Sequence, residues 1–494
     1  MFSLQLTSSS ETRMGESQGI LFRTSFNRSV RVEASKTPLT EDAGVLLLRE
    51  VADSLGLRGV AGTLIDHRAQ SHVIHPLYEL VLSRVLLMGQ GWRDQDDADT
   101  LRDDPAFRIA VSQRGGDRSL LPVEDRSEPD GLASQPTQSR TTAMLGSEQN
   151  RRSLALGVLA LGRERMRRQH GRRRRIILDV DSFPHETHGC QDGAAYNGHY
   201  RMEGYHPLVA ITDSGDIVGV MLRPGNVHTA KDVRQFLSPI IMALQEDCDE
   251  VLVRIDAGYA DGKLFAWLAN RGVRFLTRLR KNPVLHRTIE DWEKKVLADW
   301  AANPSPDGRP RHTTREFWHR VKTWTSVVRV VAVVVERDTR QGELLHHTFY
   351  LATNLARPQA TSETILETYR KRGTAEAHIG EFKRVIAPLL SSVQRHREGA
   401  PHRKRKVGMA ENEVTLLLAA IAYELVHAVR CLLEHATGEG FSLDRVRERV
   451  LKVATSVVRH ARAVHFRIAS AKATLWEALA DTMPAFLADV EVQA

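Results

Sequence analysis

Apolar positions recur at helical spacing from Leu39 to about Ala110, as in AGVLLLREVADSLGL and HPLYELVLSRVLLMGQG. That period predicts amphipathic helices. Residues 113–148 are rich in Gly, Ser, Asp and Gln and read as a loop or linker. The helix QNRRSLALGVLALGRERMRRQ follows, with an apolar stripe and an arginine-rich end. The pattern then changes to strands. RIILDVDSF is the first, and YHPLVAITD and IVGVMLRPG are two more, separated by the turn residues Asp213 to Asp216. AKDVRQFLSPIIMALQE is an amphipathic helix, DEVLVRIDAG a fourth strand, DGKLFAWLANRG a helix closed by Gly272, and VRFLTRLR a fifth strand.

The order β-β-β-α-β-α-β, three turn-linked strands followed by β-α units, predicts an α/β ribonuclease H-like core, a mixed sheet with helices on both faces. A Pro/Gly-containing loop and a strand-rich block, TREFWHRVKTWTSVVRVVAVVVERD, interrupt it, and the sheet pattern resumes at HTFYLATNL. The pattern divides the chain into a disordered lead (1–36), an N-terminal helical region with linker (37–150), the first part of the core (151–280), a β-rich insertion (281–345), the second part of the core (346–392) and a C-terminal helical region (393–494). The polar, Ser-rich lead has no period.

One helix-forming stretch, ETILETYRKRGTAEAHIGEFKRVIAPLL, carries Tyr369, Arg372, Glu376 and Lys383. At roughly 100° per residue they fall at about 0°, 300°, 340° and 320°, one stripe about 60° wide. A carboxylate, a phenol and two cations aimed together suit a phosphate and a metal ion. Two further acids stand at strand ends. Asp179 and Asp181 share one face of the first strand, with Asp181 at its C-terminal end, and Asp256 ends the fourth. Ligands bind beyond the carboxyl ends of strands in such sheets, and the first and fourth strands of this fold are neighbours. Asp181 and Asp256 can therefore meet, with Glu376 closing the third corner. Taken singly, an Asp at a strand end is more often a turn or cap residue. Together, three carboxylates suit hard, oxygen-seeking Mg²⁺ or Mn²⁺. Two such ions would serve an in-line phosphodiester displacement.

Composition narrows the partners. The 494-residue chain is 42% hydrophobic with a formal charge of +8. A basic balance fits an acidic partner such as nucleic acid. Ten Arg and one Glu lie between Arg151 and Arg175, and a second basic cluster spans His396 to Lys406. The run Arg172 to Arg175 reads either as a phosphate-binding patch or as a solvated entry to the strand. Cys190, Cys248 and Cys431 are far apart, so neither a structural zinc site nor a disulfide framework is expected. No apolar run approaches 18 residues free of charge, and there is no secretory signal pattern. The expectation is a protein of the reducing cytoplasm, at the nucleoid, with no membrane partner.

These motifs resemble the DDE transposases of bacterial insertion sequences, the cut-and-paste group with a β-rich insertion. Tyr369, Arg372, Glu376 and Lys383 meet their Y-x₂-R-x₃-E-x₆-K pattern. LDVDSF, GAAYNGHY, YHPLVAITD, LRPGNVHTA, RIDAGYA and FYLATNL extend the likeness from about residue 40 to 480. The resemblance implies cleavage at terminal inverted repeats and joining of 3′ ends to target DNA. It further implies that Asp181, Asp256 and Glu376 hold two Mg²⁺ or Mn²⁺ ions, that Tyr369, Arg372 and Lys383 contact phosphates, and that a homodimer works on paired double-stranded ends. A Trp of the insertion stacks on a flipped base in relatives; Trp318 and Trp324 fit that role or plain sheet packing. Phe183 departs from the pattern, which has a small hydroxyl residue two positions after the first acid. Asp179 therefore stays an alternative to Asp181, and a decayed copy an alternative history. His188, His199, His206 and His228 have the irregular spacing of loop residues, with Asn226 and His228 placed to touch DNA or to support the site. The rival functions are a ribonuclease H-like nuclease without strand transfer and a catalytically inactive protein that binds element ends.

Overall fold

The structure of the protein, a computed structural model, describes residues 20–488 apart from 28, 34–37, 115, 122–130, 304, 306–309, 322–323, 325–326, 338–344, 394–406 and 461–462. Its centre is an eight-stranded sheet of β1 (Arg173–Ser182), β2 (Leu208–Thr212), β3 (Ile217–Met221), β4 (Cys248–Ile255), β5 (Arg274–Leu279), β6 (His312–His319), β7 (Val328–Arg337) and β8 (Leu345–Thr353). The spatial order is 6-7-8-5-4-1-2-3. Strands β1, β2 and β3 pair antiparallel, whereas β4 and β5 run parallel to β1. That is the ribonuclease H-like arrangement.

Alternation explains the pairing. In β1, Ile176, Leu178 and Val180 turn to one face, with Val251, Val253 and Ile255 of β4 beside them. Helices α1 (Glu148–His170), α2 (Val233–Asp247), α3 (Gly262–Ala269) and α4 (Pro283–Ala302) supply this layer. The opposite face carries Leu252, Leu276, Val331 and Leu351 under Ile365 and Leu366 of α5 (Ser362–Arg370).

Several elements differ from the sequence reading. The segment 281–345 opens with the 20-residue helix α4, whose N-terminus is capped by Asn282. Its strands β6 and β7 extend the core sheet through β8. Between β1 and β2 there is no tight turn but a small sheet of His185–Glu186, Met202–Tyr205 and Ala195–Asn197. The linker contains a helix, Gln135–Leu145. Within the lead, Ile20–Arg23 pairs with Arg31–Glu33, while residues 1–19 lie outside the described residues, as does the basic cluster from His396 to Lys406.

The N- and C-terminal regions share one core around the helix α7 (Val407–Thr437). Strand Thr455–His460 of the C-terminal region also pairs with Leu39–Thr40. Gly408–Thr437 is long and apolar enough to cross a bilayer (mean hydropathy 1.8), but 94% of that window is buried inside the protein, as in a core helix.

The polar faces of β1 and β4 are joined by an ion pair. Register sets Arg254 against Asp179, and its Nε and Nη2 each donate to the carboxylate at 2.6 Å. Both side chains are at most 2% exposed. Nη1 also donates to the Thr368 carbonyl, in the last turn of α5, where helical carbonyls lack helical partners. Arg254→Met strands a buried carboxylate and should cost about 3–5 kcal/mol by chemical denaturation, with most of it recovered in Asp179→Leu/Arg254→Met. A single variant as stable as the parent would refute the assignment.

Candidate active site

The same register continues to the strand ends. Ile255 pairs with Val180, so the next residues, Asp256 just past β4 and Asp181 still paired to Val209 of β2, stand side by side. Asp256 Oδ1 accepts from the Gly258 N–H at 2.8 Å and caps the short turn Ala257–Tyr259. Thr277 Oγ1 of β5 donates to the Asp256 carbonyl at 3.1 Å. Asp181 accepts from the Ser182 N–H at 2.8 Å. Asp179, fully committed to Arg254, lies buried behind it, so of the two alternatives Asp181 is the acid at the open end.

The stripe-bearing segment is not one helix. It breaks at Lys371 between α5 and α6 (Arg372–Glu381), then widens into a π turn at Phe382–Ile386 that ends at Ala387 with φ 45°. Tyr369, Arg372 and Glu376 still line one cleft with Asp256, with a volume of about 990 Å³. Arg372 Nη2 donates to Asp181 at 2.5 Å, and Nη1 donates to Glu376. The second bond is an ordinary i, i+4 helix pair. The first ties α6 to β1. The Arg372 side chain is 12% exposed and Glu376 57%, so the guanidinium is the buried centre and Glu376 the wet edge.

Lys383 stands apart from this cleft. The π turn places its Nζ 5.5 Å from the centre of the Phe183 ring. Phe183 is buried and meets Phe382 edge-on at 6.2 Å. The residue that departs from the family pattern thus joins the end of β1 to the end of α6.

Electrostatics tie the acids together. Burial raises the Asp181 pKa, Arg372 and the Ser182 N–H oppose it, and Asp256 and Glu376 raise it further. Burial likewise raises that of the Tyr369 phenol, against Arg372 and Arg278. Among the described residues, no three His, Cys, Asp or Glu are grouped closely enough to hold a metal ion as they stand; between Asp181 and Glu376 the positive group present is Arg372. Of the histidines, His199 and His206 flank the Tyr200 ring at 4.8 and 5.8 Å. His206 is buried against the Val227 carbonyl, and His228 Nδ1 accepts from the Ala230 N–H.

Sequence reasoning missed Arg278, Arg280 and Lys281, which line the cleft at the end of β5. Their position beyond a carboxyl strand end was the available signal. The arginine run has two readings, a phosphate-binding patch and a solvated entry to the strand. Arg172, Arg173 and Arg175 pair with Asp249, Asp213 and Glu250 at 3.0, 2.8 and 2.6 Å, which suits the solvated-entry alternative. Trp324 packs edge-on against Phe265 at 5.3 Å, whereas Trp318 is 61% exposed.

Helix α6 is anchored at its far end. Glu381 accepts from Arg430 of α7 at 2.6 Å and from the Leu443 N–H at 3.0 Å. Burial works against this carboxylate, but His378, Arg430 and Leu443 hold its pKa down at about 2 from 4.5. A depressed carboxylate stabilises the fold above its unfolded pKa, and that stability is lost as pH falls from about 4.5 to about 2. Glu381→Gln should flatten the stability–pH curve in that window; an unchanged curve rules the anchor out. Phe183→Ser should cost about 3–5 kcal/mol in urea titration through the lost packing, and a neutral outcome would show that Phe183 does not join the two elements.

The family model described as transposase DDE domain group 1 matches residues 22–484. Comparison with curated proteins finds no match. Among solved structures, the chain is similar to a piggyBac transposase synaptic complex with hairpin DNA, at 10% identity, with 93% of this chain and 85% of that chain covered and a TM-score of 0.32. That likeness is too distant to carry an argument here. The match over almost the whole length carries one, and the chain belongs to the DDE transposase family of group 1.

Proposed function

We propose that this protein is the Mg²⁺-dependent transposase of a bacterial insertion sequence. It cuts phosphodiester bonds at the terminal inverted repeats and joins the 3′ ends to target DNA. The observation that carries the reading is the parallel register of β1 and β4, which sets Asp181 beside Asp256 under a helix whose Arg372 reaches both Asp181 and Glu376.

The donor set fits the metal. Three carboxylates offer oxygen ligands and no soft atom, which is the chemistry of Mg²⁺ or Mn²⁺. Asp181, Asp256 and Glu376 would hold the ions. Ions held there would supply the charge that activates a water or 3′-hydroxyl and steadies the leaving oxygen. The chain's own residues do the rest. Arg372 keeps the acids from repelling one another apart, and its Nε is a buried donor with no partner among the described residues. Such a donor suits a phosphate oxygen. Tyr369, Arg278 and Arg280 line the approach and orient the backbone, with Lys383 contacting a phosphate farther along. A homodimer, with one acid cluster per paired DNA end, completes the proposal, and its setting is the nucleoid in the cytoplasm.

The test is nicking of a duplex that carries the inverted repeats flanking the gene, with Mg²⁺, by the wild type and by Glu376→Gln. The wild type should nick at the repeat tip. The variant should bind equally and lose more than the roughly 10–100-fold that removal of a mere supporting partner costs. Equal nicking by both would remove Glu376 from the site. Binding without nicking by either would point to the inactive end-binding protein, and nicking without joined products to the nuclease.

A further inference from the structure

Antiparallel pairing sets Arg278 of β5 opposite Leu351 of β8. Directly opposite residues share a face of the sheet, and Phe349 and His347 precede Leu351 on that face at steps of two. The Arg278 side chain therefore meets both rings. Its Cζ stands 5.1 Å from the centre of the Phe349 ring, and its Nη2 donates to His347 Nε2 at 3.0 Å. The two rings are stacked on each other, 5.7 Å apart at 26°. Phe349 in turn packs against the core under α5, on the same cluster as Tyr369.

This stack holds a cation without cancelling it. A guanidinium only donates, so the accepting Nε2 carries no proton, and the bond holds His347 as the neutral tautomer with its proton on Nδ1. Among the described residues no carboxylate pairs with Arg278; its partners are the imidazole and the ring. Arg372, in the same cleft, is the opposite case, shared between Asp181 and Glu376. Arg280 and Lys281 also line the cleft but are exposed, so water serves their charge. Arg278 is half-buried and has given up part of its hydration with no anion in return. A cation fixed, partly dried and not neutralised calls for an anion from outside the chain.

We propose that Arg278 is the cation that fixes a DNA phosphate in the cleft, and that His347 and Phe349 are its positioning residues. The inference rests on the reading of this cleft as a DNA-cutting site. With Nη2 held by His347 and the plane of the fork held by Phe349, the other nitrogens keep one direction, and a planar fork suits phosphate oxygens. Arg278 lines the cleft together with Asp256, Tyr369 and Glu376. Strand β5 is the neighbour of β4, so a phosphate held there lies on the Asp256 side of the acid cluster. Strand β8 thereby sets the place of the DNA through Arg278.

The experiment measures single-turnover nicking of the inverted-repeat duplex by the full-length protein with Mg²⁺ and, separately, the salt dependence of duplex binding. Arg278→Ala should slow nicking roughly 10- to 100-fold, the loss of one charge-assisted bond. It should also reduce the slope of log affinity against log salt by about 0.9, one phosphate contact. His347→Ala should slow nicking roughly 5- to 50-fold with Arg278 still present, as expected of a misaimed contact. His347→Gln, whose amide oxygen accepts in place of Nε2, should stay within about three-fold of the wild type. Adding His347→Ala to Arg278→Ala should cost less than about two-fold more, because the two act through one contact. A merely structural His347 would slow both backgrounds equally, and that result overturns the proposal. So does a His347→Gln as slow as His347→Ala, or an unchanged salt slope in Arg278→Ala. Those outcomes leave the transposase reading intact, whereas a wild type that binds no inverted repeat overturns both.

Discussion

Asp179 and Arg254 form the contact on which the rest of the site depends. The pair is bidentate, buried at both ends and set between two parallel strands. Taking two charges out of water is costly, and close geometry with further hydrogen bonds is what offsets it. Arg254 meets both conditions, since its remaining nitrogen reaches the end of α5. One guanidinium thereby sets the β1–β4 register and the seat of α5 on the sheet. Because Asp179 and Asp181 share a face, a slip of one residue would turn both away from that face. The inner acid is structural, and its register sets the outer one beside Asp256.

The outer acids raise a different physical problem. Asp181, Asp256 and Glu376 are near enough for the charge of the other two to raise the Asp181 pKa. Arg372 answers this with a planar fork that serves two carboxylates at once. A lysine ammonium lacks that fork. The arrangement is balanced rather than rigid, since Glu376 is more than half exposed and can exchange its partner without uncovering the core.

Much of this was legible in the chain. The strands were, because β-branched alternation in RIILDVDSF and DEVLVRID leaves little other choice, and the order of elements then placed Asp181 next to Asp256. Three of the misses have separate causes. Helix α4 was lost because the polar, Pro-containing segment around Asn282 masked its cap. The break at Lys371 was lost because an ideal 100° rotation was carried through RKRG, although Gly373 stood there as a warning. The small sheet carrying Tyr200 consists of strands of two to four residues, too short for any period to register. The common core of the N- and C-terminal regions is a long-range fact. Periodicity tells that a helix has an apolar face and not which partner covers it.

That common core bears on the acid cluster through α6. The helix is held to the sheet at one end, where Arg372 meets Asp181, and to α7 at the other, where Glu381 meets Arg430. Phe183 and Phe382 add a packed contact between the same two ends. Glu376 lies midway and, among the described residues, is tied to the sheet through Arg372. Its position is therefore the joint product of the sheet and of the helical body formed by the two chain termini. A change in how that body sits would move Glu376 relative to Asp181 and Asp256 without disturbing either aspartate, because those two are fixed by strand register. The pair on the sheet is set by strand register, and the acid on the helix is the one whose place the remainder of the protein sets.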